Sequence, residues 1–271
     1  MPAVDARVLS VNIEGRTFTN HAISCRGTVA TGGIVNNATV RIHNVERSVR
    51  DSMLLDISPF AGGRQRQISL EISAGRMSGT VYPIFRGDVH KVSVTQPPDI
   101  ALEISAQTGY YNRGILGAGS AEKEADYQRI CQATADANSL NLEFAGDNST
   151  KVQSYYYAGS RDEAIQALYN LGGHDVYQDN DTLVVKRSGE PRRGAAVSFS
   201  STSGMIGVPE LTELGVRIRV LYTNELAPGN LMSVSSSLNP AASGSYEMYK
   251  ITFDLTNREQ AWYAVIEGRR L

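Results

Sequence analysis

The chain has 271 residues, 41% hydrophobic and 20% charged, the composition of a folded protein long enough for two compact domains or one large β-rich one. Its formal net charge is −2, with 11 basic and 9 acidic side chains in residues 1–107, 7 and 11 in 108–187, and 8 and 8 in 188–271. No segment carries the basic excess that a tight grip on phosphates demands, and no apolar run is long enough to span a bilayer, so nucleic-acid binding and membrane insertion are not expected.

The N-terminal stretch "MPAVDARVLSVNIEG" sets Asp5 and Arg7 where a secretory signal needs an unbroken apolar core. The chain is therefore expected to stay in a cytoplasm or to leave it by a route other than secretion. Residues 6–107 read as strands. "ATVRIHNV" alternates through Val40 and Ile42, while "ISLEISAG" (68–75) and "IALEISAQ" (100–107) each set apolar side chains on one face and Glu on the other. These two look like strands of one sheet under the same demand. Between Asn44 and Ser58 the spacing of Val45, Val49 and Met53 predicts a short helix closed by Pro59.

From residue 108 the character changes to that of a small α/β unit. Tyr127, Ile130 and Cys131 stand at helical spacing, Ala133 and Ala137 extend the stripe, and Ser120 is the expected N-cap. Ser160 and Glu163 have capping-box spacing ahead of a second helix with Ile165, Leu168 and Tyr169, which Gly172-Gly173 ends. "HDVYQDNDTLVVKR" reads as a hairpin with "QDND" at its tip, and "SGEPRRG" (188–194) as a linker. Five strands follow, at 195–200, 215–222, 230–236, 246–254 and 261–267. Five are few for a closed barrel, so this part is expected to borrow an edge from the first sheet or from a neighbouring chain.

Motifs for chemistry are weak. Cys25 and Cys131 read as separate buried thiols, and the histidines His21, His43, His90 and His174 are scattered without metal-ligand spacing. "GILGAGS" (114–120) lacks a basic residue for a phosphate and reads as a flexible hinge. "RGD" (86–88) falls in what reads as a strand pair with a tight Gly, and the acceptor sequences at Asn37 and Asn148 are idle without secretion. Trp262 in "AWYAVIEG" reads as core, and nothing singles out a pair of carboxylates. No catalytic, cofactor-binding or metal-ligating residue emerges.

One strand does pose a question. In "GVRIRVLY" the side chains of Val216, Ile218 and Val220 take one face and Arg217 and Arg219 the other, which makes these two arginines the candidate interface residues. Three stretches in order then resemble a known family: "ATVRIHNVERSVRD", "ISLEISAG…YPIFRGDVHKVSVTQPPDIALEISAQTG" and "GMIGVPELTELGVRIRVLYTNELAPGNLMSV…GSYEMYKITFDLTNREQAWYAVIEG". The whole is similar to the baseplate hub proteins of tailed phages, most like those of contractile tails, with kin in phage-tail-like bacteriocins and type VI secretion spikes. Asn224 stands where that family often has Pro.

The resemblance implies a mainly β fold. Two tail-tube-like antiparallel β-barrel domains (1–107 and 188–271) would flank an α/β insert (108–187). It also implies a structural virion protein of the tail baseplate, assembled in the host cytoplasm, and the absence of a chemical motif adds that no enzymatic activity and no cofactor are expected. The protein would be a homotrimer that joins the hexameric tail tube to the central spike and forms part of the channel for DNA ejection, touching tape measure and baseplate wedge proteins, with DNA present only in transit. Two other readings are a host-glycan-binding β module of a tail tip and a tail-associated peptidoglycan hydrolase.

Overall fold

The computed structural model describes residues 5–32, 34–57, 67–121, 124–147, 149–171, 173–192 and 194–271. Period-two alternation decides most of the first third. It forms β1 (Arg7–Ile13), β2 (Arg16–Phe18), β3 (Ile23–Ala30), β4 (Asn37–His43), β5 (Ser69–Arg76), β6 (Tyr82–Val94) and β7 (Ala101–Gln107). The two similar octapeptides become β5 and β7, which flank β6 on either side, each burying Leu and Ile inward. Helix α1 (Arg47–Asp56) lies between β4 and β5, burying Met53 and packing Val49 on the core, where Val45, just ahead of the helix, also packs. Its expected stop at Ser58 and Pro59 lies outside the described residues.

The middle third contains β8 (Leu116–Ser120), β9 (Glu124–Asp126), α2 (Tyr127–Ala137), β10 (Asn141–Ala145), β11 (Lys151–Gln153), β12 (Tyr156–Ser160), α3 (Arg161–Asn170), β13 (His174–Asp179) and β14 (Thr182–Arg187). Three expectations are corrected here. Helix α2 starts at Tyr127 behind Asp126, so Ser120 is no N-cap. Its buried stripe runs through Thr134 and Ala135, leaving Ala133 and Ala137 exposed, because the Thr134 hydroxyl satisfies itself on the Ile130 carbonyl at 3.0 Å. "GILGAGS" is no hinge: Leu116–Ser120 pairs antiparallel with Tyr156–Ser160, a partner that its own composition does not advertise. The capping box of α3 is present, and the 174–187 hairpin forms with Asn180 at φ 52° in its turn. Gly173, at φ +78°, follows α3, whereas Gly172 lies outside the described residues.

The last third forms β15 (Val197–Phe199), β16 (Met205–Leu211), β17 (Gly215–Leu221), β18 (Leu231–Val234), β19 (Gly244–Thr256) and β20 (Trp262–Arg270). Strand β16 escapes the alternation rule, since Gly207 at φ +79° breaks the pleat and the register shifts between Ile206 and Glu210. "RGD" lies inside the single strand β6, not in a strand pair. Gly87 sits where β6 passes from β5 to β7, and a Cβ there would come within 2.9 Å of the Gln107 backbone.

Thirteen strands join in one sheet, ordered β16-β17-β20-β19-β3-β4-β7-β6-β5-β1-β2, with β18 on β19 and β15 parallel to β18. The borrowed edge is thus supplied within the chain: β3 pairs with β19 from Ala30–Lys250 to Ser24–Thr256. One core serves the whole sheet, uniting Leu9, Ile72 and Phe85 with Phe253, Trp262 and Ile266. The sheet folds over on itself. Arg7 Nη1 donates to the Glu259 carbonyl at 2.7 Å, and the guanidiniums of Arg7 and Arg76 lie 5.5 and 5.4 Å from the Trp262 ring centre. The two β-barrels that the resemblance implies do not appear as closed ladders. Among the described residues the strand order is an open path from β16 to β2.

The middle third is tied to this sheet by polar contacts. Lys186 on β14 is 1% exposed, and its Nζ reaches Asp175 Oδ2 at 2.8 Å and Glu247 Oε1 of β19 at 2.9 Å. The Tyr177 hydroxyl donates to the Pro228 carbonyl, and Asn36 Nδ2 to the Gln178 carbonyl. Arg192, in the stretch read as a linker, grips Glu143 with two nitrogens at 2.6 and 2.8 Å and Asp179 with a third at 2.6 Å. That connection is not slack.

Two substitutions test this packing. A Cβ at Gly27 would lie 2.4 Å from Phe253 and 2.7 Å from the Asn37 carbonyl, so Gly27→Ala should cost about 1–3 kcal/mol in thermal or denaturant unfolding. Lys186→Met leaves Asp175 and Glu247 buried without their cation and should cost more, about 3–5 kcal/mol by the same measurement.

Candidate interaction surface

The alternation that buries one side of each strand turns the other side of β17, β20, β19, β3, β4 and β7 outward as a continuous polar face. Across it the strands are zipped by cross-strand pairs: Arg26 to Asp254 at 2.8 Å, Arg41 to Glu103 at 2.6 Å, and Lys250 to Glu267 at 3.0 Å. Hydroxyl pairs fill the gaps, Thr28 with Thr252 and Thr39 with Ser105. Each pair keeps at least one side chain well in contact with water, Arg26 and Arg41 most of all, so each contributes little to stability and mainly sets the charge pattern of the face.

Arg217 and Arg219 stand at one end of this face, on the strand next to the sheet edge. Both are exposed. In register, Arg217 lies between Glu210 of β16 and Glu267 of β20, while the Arg219 guanidinium sits 3.7 Å from the centre of the Tyr263 ring. A third arginine joins them. Arg269 alternates outward on β20, its guanidinium 6.0 Å from the Tyr249 ring centre. The period-two pattern of "WYAVIEGRR" contains that signal, because positions 263, 265, 267 and 269 share a face. Beyond this corner the edge strand β16 exposes Ile206, Val208 and Leu211.

Electrostatics inside the corner favour fixed charge. Burial works to raise the Glu267 carboxyl, but the Tyr249 hydroxyl at 2.6 Å, the Lys250 ammonium and the Arg217 charge together hold it below the usual carboxylate range. Tyr249 is pushed up to about 12, first by burial and then by its bond to Glu267. It is therefore a neutral donor at physiological pH.

Other groups with chemical capacity lie apart from this face or within the core. Cys25 and Cys131 are buried and belong to separate clusters, and burial pushes the Cys131 thiol up to about 12. His174 is buried, stacks on Tyr127 at 4.6 Å between ring centres and accepts from the Asp147 backbone N–H at 3.2 Å. Trp262 is 2% exposed, which removes the chain's only Trp from any sugar-stacking platform. Among the described residues no three His, Cys, Asp or Glu side chains gather as metal ligands, and no helix is long and apolar enough to cross a membrane.

The fold is thus an open, mainly antiparallel sheet with a polar face, an arginine corner and an apolar edge strand. Comparison with known proteins gives that fold a family. Residues 8–268 match the model described as "Baseplate hub gp41", and the chain belongs to this family of phage baseplate hub proteins. No curated protein sequence matches it. Among solved structures it is similar to the 43 kDa tail protein of prophage MuSo2 from Shewanella oneidensis (TM-score 0.68, 9% identity, 98% of each chain covered). It is equally similar to a tail protein from Neisseria meningitidis MC58 (TM-score 0.68, 11% identity, 98% of this chain and 97% of that one). The Escherichia coli c3393 protein, a type VI secretion component described as similar to phage T4 tail proteins gp27 and gp5, matches at TM-score 0.62 and 8% identity, over 96% of this chain and 76% of its own. At these identities the structural matches establish a shared fold.

The held-down Glu267 gives a pH test. Stability from a depressed carboxyl is fully present above its unfolded value of about 4.3 and is lost as pH falls through the folded one. Glu267→Gln should therefore lower the melting temperature at pH 7, and the gap to the parent protein should close as the melts are repeated below about pH 4.

Proposed function

We propose that the protein is the trimeric hub of a phage tail baseplate. It joins the hexameric tail tube to the central spike and forms part of the channel through which DNA leaves. In this reading residues 1–107 and 188–271 act as two tube-like repeats, so that three chains offer six similar surfaces to the tube, and 108–187 is an insert between them. The observation that carries the reading is the hub match over residues 8–268. The geometry supports it: the sheet is open at β16, and an apolar edge of that kind needs a cover. Tape measure and wedge proteins are the further neighbours expected in the virion, after assembly in the host cytoplasm. The fold acts as a scaffold and not as an enzyme.

Arg217 and Arg219 are the proposed contact residues, with Arg269 beside them. Their positive charge lies next to the open edge, where a neighbouring subunit or the tube arrives. The cross-strand zippering of the remaining face also suits a conduit, since cations already matched to carboxylates hold passing phosphates weakly.

Light scattering of the purified protein, alone and with its tube and spike proteins, tests the assembly. The expected mass is that of three chains. Arg217→Glu with Arg219→Glu should abolish trimer or tube binding, because acidic groups across the contact would then meet like charge, an effect on the order of several kcal/mol if desolvated. The double variant should melt somewhat below the parent, because a carboxylate at position 217 would face Glu210 and Glu267 and the Arg219 guanidinium would be lost from Tyr263. It should stay folded on the untouched Val216, Ile218 and Val220, and mass and tube binding are read well below that melt. Unchanged mass and tube binding would mean that the arginines face water. A parent protein that stays monomeric with its spike present would overturn the hub itself.

A further inference from the structure

Between α2 and the β8–β12 ribbon runs a groove of about 590 Å³. One wall is the side of α2 that carries Arg129, Ala133 and Ala137 away from the insert's core. The other wall is the ribbon, in which Gly117 and Gly119 have no side chains to fill the space. The nearest cover over a Cβ at either site is Arg161 at 3.7 Å or Tyr155 at 3.6 Å. At the ribbon, Leu116 and Tyr156 are 84% and 76% exposed. The ribbon has only two strands, so β8 keeps one backbone edge unpaired among the described residues.

Charge marks this groove for a ligand. Residues 108–187 are acidic, 7 basic against 11 acidic, yet three of those seven bases, Arg129, Lys151 and Arg161, line this one groove beside Glu124 and Asp126. Lys151 pairs with Glu124 at 3.3 Å, whereas Arg129 and Arg161 have no carboxylate partner among the described residues. Asn138, a lining residue, is 7% exposed. Its Nδ2 donates to the Thr134 carbonyl at 2.8 Å and holds the side chain against α2.

We propose that this groove seats an extended acidic segment of a partner protein. The segment adds to the free edge of β8 and meets Arg129 and Arg161 with its carboxylates. Small apolar side chains between the carboxylates fill the space over Gly117, Gly119, Ala133 and Ala137. A compact anion would satisfy the two guanidiniums but would leave the apolar length of the groove empty.

Fluorescence anisotropy with the full chain tests this at low salt, using a labelled peptide of alternating Glu and Ala and a second of alternating Lys and Ala. The acidic peptide should bind and the basic one should not. Arg129→Glu with Arg161→Glu should weaken binding by about tenfold or more. Arg113→Glu with Arg187→Glu makes the same change in net charge outside the groove and should leave binding intact. Thermal melts of both double variants report that they are folded. Failure of the acidic peptide to bind overturns the proposal, and so does equal loss in the two double variants. Trimer mass and tube binding are read separately and fail only with the hub reading.

Discussion

The fold depends on one ladder. Strand β3, near the start of the chain, pairs along its whole length with β19, near the end, from Ala30–Lys250 to Ser24–Thr256. Without it the first seven strands and the last six would be two sheets, each with a long bare edge. With it, Cys25 and Val29 meet Ile251, Phe253 and Leu255 on the buried side, and the two regions share one core. The close approach at Gly27, where Phe253 and the Asn37 carbonyl leave no room for a side chain, is the local cost of bringing β4, β3 and β19 together.

That ladder also makes the outer face. Because β3 and β19 join in register, Arg26 comes opposite Asp254 and Thr28 opposite Thr252, continuing the pattern that Arg41 and Glu103 begin and Lys250 and Glu267 end. Matched charge in the middle leaves unmatched charge at the corner, where Arg217, Arg219 and Arg269 lean on Tyr263, Tyr249 and Glu267. Aromatic faces and a shared carboxylate hold these guanidiniums without neutralising them all. A surface built this way has a direction: its charges are matched across the middle and cationic beside the open edge at β16.

Period two was the readable signal. β4, β5, β7 and β17 stand close to where their alternation puts them, and the Ser160–Glu163 box announces α3 because both of its bonds are local. Long-range pairing left no such trace. Nothing in "GILGAGS" reveals that Tyr156–Ser160 will lie against it, and nothing in "MIGVPEL", with its glycine bulge, reveals an edge strand. The α2 stripe departs from its expected course at Ala133 and Ala137 because alanine suits either side of a helix, while Thr134 is buried with its hydroxyl turned to the Ile130 carbonyl. At the corner, Arg217 and Arg219 were visible as a pair within one strand. Their ties to Glu267 and Tyr263 come from a strand more than forty residues on.

The Lys186 cluster bears on how the middle third can move. An apolar joint can slide, since one methyl group is much like the next. A cation seated between Asp175 on its own hairpin and Glu247 on β19 has a single seat, and a shift of one residue along β19 would place Tyr246 or Met248 in the wrong pleat and strand all three charges. The joint behaves as a keyed shaft does, locked in angle and in height. To slip along β19 the insert would first have to pull Lys186 away from Glu247 and leave that carboxylate buried alone.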